Sequence, residues 1–504
     1  MKARMADTVG TQAWQSGGGL WRKMPARRRG APDSTPGVLR RIFPQLSQEQ
    51  PTLNATDAAA TGTATARLSK SLLARHLVMI SIGGIIGGGV FVGSSGAIAT
   101  IGPAVVLSYI SAGIVVFGVI TILARMAVDQ PGLGSFTEYV RVGLGDGAGF
   151  ITGWLYWWFW VVVVAFEALV GAQTAHAWLP MFEPWQIGLG LMAILTAVNL
   201  ASARSYGEFE FWFASIKVVA IVVFIIVAAG WLSGVGNPAS PGLSHLTAHG
   251  GFAPFGWLAI LSGATTVIFS MVGAEIVTVA AAESAESNKT LSRLAATVVL
   301  RILLFYVVAI ALILCIVPWS DFKAGDSTFA IALQRIGIPG AATVMNVIVL
   351  TAVLSCLNSG VYVTARVLFA MADKGDAPRW LTAVNKRQVP ARAILLGSAF
   401  GFVVMLLNWI APEKLFNFLM NSSGALMMFT YLFVAVAHFR FPYSKPEMRS
   451  AGAANLIAGA AALAMLGVMV AMALMPSKQP EMWASLSCLA VIVVALLVKR
   501  AVAR

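Results

Sequence analysis

Ile80-Ser81-Ile82-Gly83-Gly84-Ile85-Ile86-Gly87-Gly88-Gly89-Val90-Phe91 is the stretch on which the fold turns. It lies in an apolar run, residues 77–124, without a single Asp, Glu, Lys or Arg. That run is long enough for two membrane-spanning helices, divided at Gly102-Pro103. Five glycines fall within seven residues, and each weakens a regular helix by up to ~1 kcal/mol relative to alanine. Membrane helices also use glycine for close packing. A triple glycine exceeds what one small-residue face requires, so the competing reading is an unwound stretch whose free N–H groups point into a cavity.

The rest of the chain has the same character. Of its 504 residues, 58% are hydrophobic and 11% charged, where soluble domains carry roughly 25% charged residues. So little charge cannot cover a globule of this size in water, which excludes most soluble enzyme folds. Further apolar stretches lie near 148–178, 185–203, 209–231, 257–280, 294–317, 337–370, 391–411, 414–437, 451–476 and 482–499. With the two in 77–124 they make twelve spans, all read as helices because unpaired backbone cannot face lipid. The expected class is an all-α polytopic membrane protein. Cys315, Cys356 and Cys488 each sit in an apolar run, which indicates neither a disulfide framework nor a zinc cluster. No nucleotide-binding loop, zinc motif or nucleophile elbow occurs, so no enzyme activity, cofactor or metal is expected.

The net charge of +14 would suit nucleic acid, but its placement argues for a membrane. Residues 1–75 hold 12 of the 35 Lys and Arg, in a segment rich in small and polar residues and without an apolar span. Residues 1–71 therefore read as a disordered basic cytoplasmic extension beside anionic lipid. With the N-terminus placed inside, sixteen more cations fall in even-numbered loops and the C-terminus, and four fall outside: Lys323, Arg335, Lys414 and Lys478. This bias predicts both termini in the cytoplasm. Lys217, Arg301 and Arg366 remain within spans. Arg301 and Arg366 lie a few turns from cytoplasmic ends and read as interfacial anchors. Most of the tryptophans, Trp154, Trp157, Trp158 and Trp160 among them, read as interface belt and packing.

The sixth span has its own irregularity, Phe269-Ser270-Met271-Val272-Gly273-Ala274-Glu275. A mid-span acid is expensive in lipid and is expected to face the interior. Interruptions in the first and sixth spans match if spans 1–5 and 6–10 form two inverted halves, and such pairs mark a transporter site at the midplane. Freed N–H groups at Gly87, Gly88 and Gly89 would take a substrate carboxylate. The carbonyls of Ile85, Phe269 and Ser270 would take an ammonium group, with Gly273 and Glu275 beside them. Such a site suits an amino acid zwitterion.

Lys217 stands nine residues after Glu208, about 13 Å along a helix, too far to snorkel comfortably. It is expected to bind and release a proton in place of a coupling ion. Glu167, also mid-span, is either structural or part of the pathway. Glu208 and Glu210 read as acids at the N-terminus of the fifth helix.

These residues resemble the amino acid–polyamine–organocation superfamily, in its amino acid transporter branch. The likeness is carried by SIGGIIGGGVFVGSS (81–95), GPAVVLSYI (102–110), GSFTEY (134–139), YGEFEFWFASIKVVAI (206–221), GAEIVTVAAAES (273–284) and LSCLNSGVY (354–362). It implies a LeuT-like core of ten helices in a 5+5 inverted repeat over residues 72–440, with helices 1 and 6 broken. Two additional C-terminal helices would occupy 441–504. It further implies a multi-pass protein of the bacterial inner membrane, whose partners are an amino acid, a proton and the lipid bilayer, with no nucleic acid. In the resemblance Lys217 stands at a former sodium position, its partners the backbone of helix 1 and helix 8 around Ser355 and Ser359. The wording of 153–161, 206–212 and 273–284 is close to that of members carrying γ-aminobutyrate, so proton-coupled import of that compound is implied. The alternatives are a proton symporter or exchanger for another amino acid and, more remotely, an amino-acid-sensing receptor. The sequence departs from the family at Arg125, where the end of helix 2 commonly has an acid.

Overall fold

The structure is a computed structural model. It describes residues 74–502 apart from 131–132, 134, 202, 235–241, 274, 277–287, 411–418, 420–422, 424, 447–451 and 477. The basic extension expected over 1–71 lies outside the described residues, as do the end of the sixth predicted span and the start of the tenth. No strand occurs among the described residues.

The first apolar run forms three helices, α1 (Ala74–Ile85), α2 (Gly88–Phe91) and α3 (Gly93–Ile101). Gly102, at φ 76°, opens a short 3₁₀ turn through Pro103, and α4 (Val105–Asp129) follows. The break expected at Gly102-Pro103 is therefore present, because proline withholds a backbone donor where the chain turns. Then come α5 (Phe136–Leu144), α6 (Asp146–His176), α7 (Pro184–Ala201), α8 (Ala203–Leu232) and α9 (Leu258–Phe269). The remainder is α10 (Asn288–Ile316), α11 (Thr328–Ile336), α12 (Ala341–Asp373), α13 (Ala391–Asn408), α14 (Leu426–Arg440), α15 (Gly452–Leu474) and α16 (Gln479–Val502). Nine helical stretches among the described residues are long and apolar enough to cross a membrane, and the shorter α9 and α14 are apolar too.

Burial sorts these helices. Of the most apolar window of α6, 89% is buried, against 17% for α16, so α6 is central and α16 presents its side chains outward. An apolar side chain gains nothing by leaving lipid, so packing between such helices relies on close fit. The longest contact runs between α6 and α12, followed by α4 with α10, and α1 lies along α8. Tyr206 of α8 stacks on Tyr362 of α12 with ring centres 4.1 Å apart.

One end of the bundle carries an ion cluster. Asp376, after α12, pairs with Arg141 of α5 and with Lys499 of α16 at 2.6 Å. Arg141 also meets Glu138 at 3.2 Å and Asp146 at 3.0 Å. Every cation in this cluster belongs to the group that the charge bias assigned to the cytoplasm. The pairs Arg335–Asp321 and Lys478–Glu481 use cations of the opposite group.

Two expectations are corrected here. The helix carrying Lys217 begins at Ala203, so Glu210 is not an N-terminal acid; it lies two turns inside α8 and is fully buried. Arg366 is not an interfacial anchor. It is 3% exposed, with its guanidinium carbon 4.0 Å from the Tyr362 ring centre.

Candidate functional site

The first helix breaks where the glycines are densest. Ile86 and Gly87 form a bend between α1 and α2, and Gly87 is extended at φ −127° and ψ −158°. The sixth predicted span breaks too: α9 ends at Phe269 and the chain turns through residues 270–273. Gly273 sits at φ 130°, a conformation that glycine enters without a Cβ penalty. The two breaks touch. A Cβ on Gly273 would stand 2.7 Å from the carbonyl carbon and oxygen of Gly84, and one on Gly89 would stand 3.1 Å from Ser270 Cα. Here glycine serves both unwinding and close approach.

A small cavity lies at this crossing. It is lined by Gly84, Ile85, Gly87 and Gly89 of the first break, by Phe269, Ser270 and Val272, and by Phe159, Trp160, Val163 and Glu167 of α6 and Cys356 of α12. Its volume is about 10 Å³, about one water site, so an amino acid enters only if the walls move. Of the residues expected to bind substrate, Ile85, Gly87, Gly89, Phe269 and Ser270 line the cavity, whereas Gly88, Gly273 and Glu275 are not among its walls.

The freed backbone groups are engaged by side chains. Gly88 donates its N–H to both carboxylate oxygens of Glu167, at 3.1 Å each. A protein carboxylate thus sits where a substrate carboxylate was expected. The Ile85 carbonyl, expected to take an ammonium group, accepts from Tyr306 Oη at 3.1 Å. Lys217 is fully buried and donates from Nζ to the carbonyls of Gly83 at 2.7 Å and Ile86 at 2.6 Å. That is the helix 1 contact the resemblance implied. Its implied partners on the eighth span are engaged elsewhere: Ser355 Oγ donates to Glu210, and Ser359 Oγ bonds Tyr206 Oη at 3.1 Å.

Glu275 faces the interior, as its cost in lipid required. Tyr156 Oη donates to it at 3.1 Å, Tyr431 Oη at 3.0 Å and the Gly273 N–H at 3.1 Å. Three donors converge on it among the described bonds, so its buried oxygens are satisfied. Glu275 therefore pins the α9 turn to α6 and α14. Glu275→Gln keeps the shape but puts an NH2 donor where one of these donors is accepted, and a buried group left unsatisfied costs about 1–3 kcal/mol. Uptake per molecule of inserted protein is expected to fall about tenfold at near-normal expression, read by uptake alongside fluorescence-detected size exclusion. Uptake within twofold of the parent would remove Glu275 from this role.

The sequence reading missed Glu210, Tyr306, Tyr156 and Tyr431. Only Glu210 had a signal: it precedes Lys217 by seven residues, two turns along one face. Trp160, one of the tryptophans read as interface belt and packing, is 1% exposed and also lines the cavity.

Comparison with known proteins places these features in context. A family model described as amino acid permease matches residues 76–500. The γ-aminobutyric acid permease of Bacillus subtilis is 40% identical over 82% of this chain and 90% of its own length. A probable GABA permease of Pseudomonas aeruginosa is 45% identical over 74% of this chain and 80% of its own. An aromatic amino acid transport protein of Escherichia coli is 35% identical over 76% and 83%.

Proposed function

Because this chain belongs to the amino acid permease family, and is thus a membrane transporter rather than an enzyme, we propose that it imports γ-aminobutyrate together with a proton. The observation that carries the coupling is Lys217, fully buried and holding the backbone of the broken first helix by two carbonyls. A cationic group at that position does the work of a bound metal cation, and it can release its charge as a proton. The crossing of two interrupted helices supports a ten-helix core of inverted repeats, with α15 and α16 as additions. Twelve spans and cytoplasmic termini in a bacterial inner membrane agree with the charge bias.

The substrate carboxylate would take the N–H groups at Gly87–Gly89, displacing Glu167 from Gly88. Two carboxylates cannot share one donor comfortably in a dry site, so Glu167 is a second place where a proton assists binding. The ammonium end would turn to the carbonyls of Phe269 and Ser270. Names of the relatives at 40–45% identity support γ-aminobutyrate as the substrate. A second reading, another amino acid, is favoured by the aromatic walls Phe159, Trp160 and Phe269 and by the relative that carries aromatic amino acids.

The test is uptake of radiolabelled γ-aminobutyrate into proteoliposomes under an imposed inward proton gradient, with other amino acids as competitors. Accumulation is expected only with that gradient, and a sodium gradient should not replace it. Phenylalanine uptake that γ-aminobutyrate fails to inhibit would establish the second reading. Binding without uptake would make the protein a receptor.

A further inference from the structure

Glu210 is a buried acid that the transport scheme above leaves without a task. It is 0% exposed, on α8, seven residues before Lys217. Ser355 Oγ of α12 donates to Oε1. Oε2 is buried without a hydrogen-bond partner, and so is the Nδ2 donor of Asn358 one turn further along α12. A carboxylate in a dry interior with one such bond is costly unless a positive charge balances it or a proton neutralises it.

Gly83 of α1 links the two residues. Its carbonyl accepts from Lys217, and its α-carbon lies against the Glu210 carboxylate so closely that a Cβ there would overlap Oε1. Lys217 and Glu210 thus flank one residue of the broken helix from the same face of α8. Donor counting points the same way. Lys217 makes two described bonds, which a neutral amine with two N–H groups satisfies; an ammonium has a third N–H to place.

We infer that Glu210 shares the coupling proton with Lys217 and is the group through which that proton leaves. This rests on the proton-coupled reading above. The pair is neutral overall as ammonium and carboxylate or as amine and carboxylic acid; one added proton makes it cationic. In the transfer an N–H bond of the ammonium breaks and an O–H bond forms at Oε2, leaving a neutral amine and a neutral acid. No ion pair joins the two groups among the described residues, so Lys217 must release a carbonyl of α1 to reach Oε2. That release frees the broken helix to move. The acid then gives its proton to water towards the N-terminal end of α8, the end that the charge bias assigns to the cytoplasm. The hydroxyls of Ser355, Ser359 and Tyr206 lie along that course.

The titratable groups around the pair are few. Tyr206 shares α8, Cys356, Tyr362 and Arg366 belong to α12, Tyr306 to α10, and Glu167 to α6 beyond Cys356. Neither α7 nor the described side chains of α1 contribute one.

The test uses the full chain in proteoliposomes, comparing wild type, Glu210→Gln, Glu210→Asp and Lys217→Ala over a range of internal and external pH. Glu210→Gln retains an oxygen for Ser355 but cannot titrate. Its proton-driven accumulation is expected to fall at least tenfold, its substrate exchange to fall less, and its pH dependence to flatten. Glu210→Asp should restore a pH-dependent profile at a shifted midpoint. Accumulation by Glu210→Gln at the wild-type level, or an equal loss of exchange and accumulation with an unshifted pH profile, would overturn the inference. If Glu210→Gln does not purify as a single species, Glu210→Asp carries the test, and an unshifted midpoint in it overturns the inference. Wild-type uptake indifferent to the proton gradient would instead defeat the proton-coupled reading itself.

Discussion

Lys217→Ala is expected to abolish accumulation of γ-aminobutyrate driven by a proton gradient, with exchange surviving at a reduced rate. Among the described residues, the substitution removes the one basic side chain that bonds the backbone of the first break, and it orphans the carbonyls of Gly83 and Ile86. A buried acceptor left without a donor costs about 1–3 kcal/mol. Two of them shift the balance between access states by more than the 1.4 kcal/mol that makes a tenfold change. The loss should therefore exceed tenfold and should not be recovered by raising the gradient. Reconstituted protein, with uptake and counterflow measured on the same vesicles, separates the two activities. Accumulation that persists with unchanged pH dependence would exclude Lys217 as the coupling group and pass the role to Glu167.

Gly273→Ala is expected to abolish substrate binding and uptake together, by a factor of a hundred or more, while the helical content stays. At φ 130° a side chain is strained by about 1–3 kcal/mol before any contact is counted. The added carbon would also stand 2.7 Å from backbone atoms of Gly84, which cannot rotate away as a side chain could. The two broken helices would be forced apart at the cavity itself. Equilibrium binding of labelled substrate to the purified variant, with circular dichroism as the control for folding, reads this directly. Binding within threefold of the parent would show that the crossing tolerates separation and that the cavity is not the substrate site.

The broken helices were legible because five glycines in seven residues, and a glycine beside a mid-span acid, are local features. Lys217 was legible for a similar reason: its distance from the nearest helix end follows from counting residues. Glu167 was visible as an anomaly, but its partner was not. Gly88 is 79 residues away, and no spacing rule connects them. Glu210 was misread because the start of its helix was placed too late; moving that start to Ala203 turns a capping acid into a core acid. The roles of Tyr156, Tyr306 and Tyr431 depend on how distant helices are rotated about their axes, which apolar sequences encode only weakly because lipid accepts every face. Trp160, read with its neighbours as belt and packing, differs from Trp154, Trp157 and Trp158 by being fully buried.

The glycine crossing has a consequence for changing what this carrier recognises. Every substitution of a glycine adds at least one carbon, and at Gly83, Gly84, Gly87 and Gly273 that carbon would meet other atoms at 1.4, 2.3, 2.6 and 2.7 Å. A mutant library selected for growth on a new nitrogen source would therefore return Gly87 and Gly273, which face Cys356 Cβ and the Gly84 backbone, unchanged, and would admit changes at Gly83 or Gly84 only where the Glu210 or Ile276 side chain gives way. Its useful diversity would collect at Val163, Phe159 and Trp160, where the wall is side chain and its volume can be traded for substrate volume. The backbone side of the cavity is held by close packing; its α6 side is built from side chains whose volume can change.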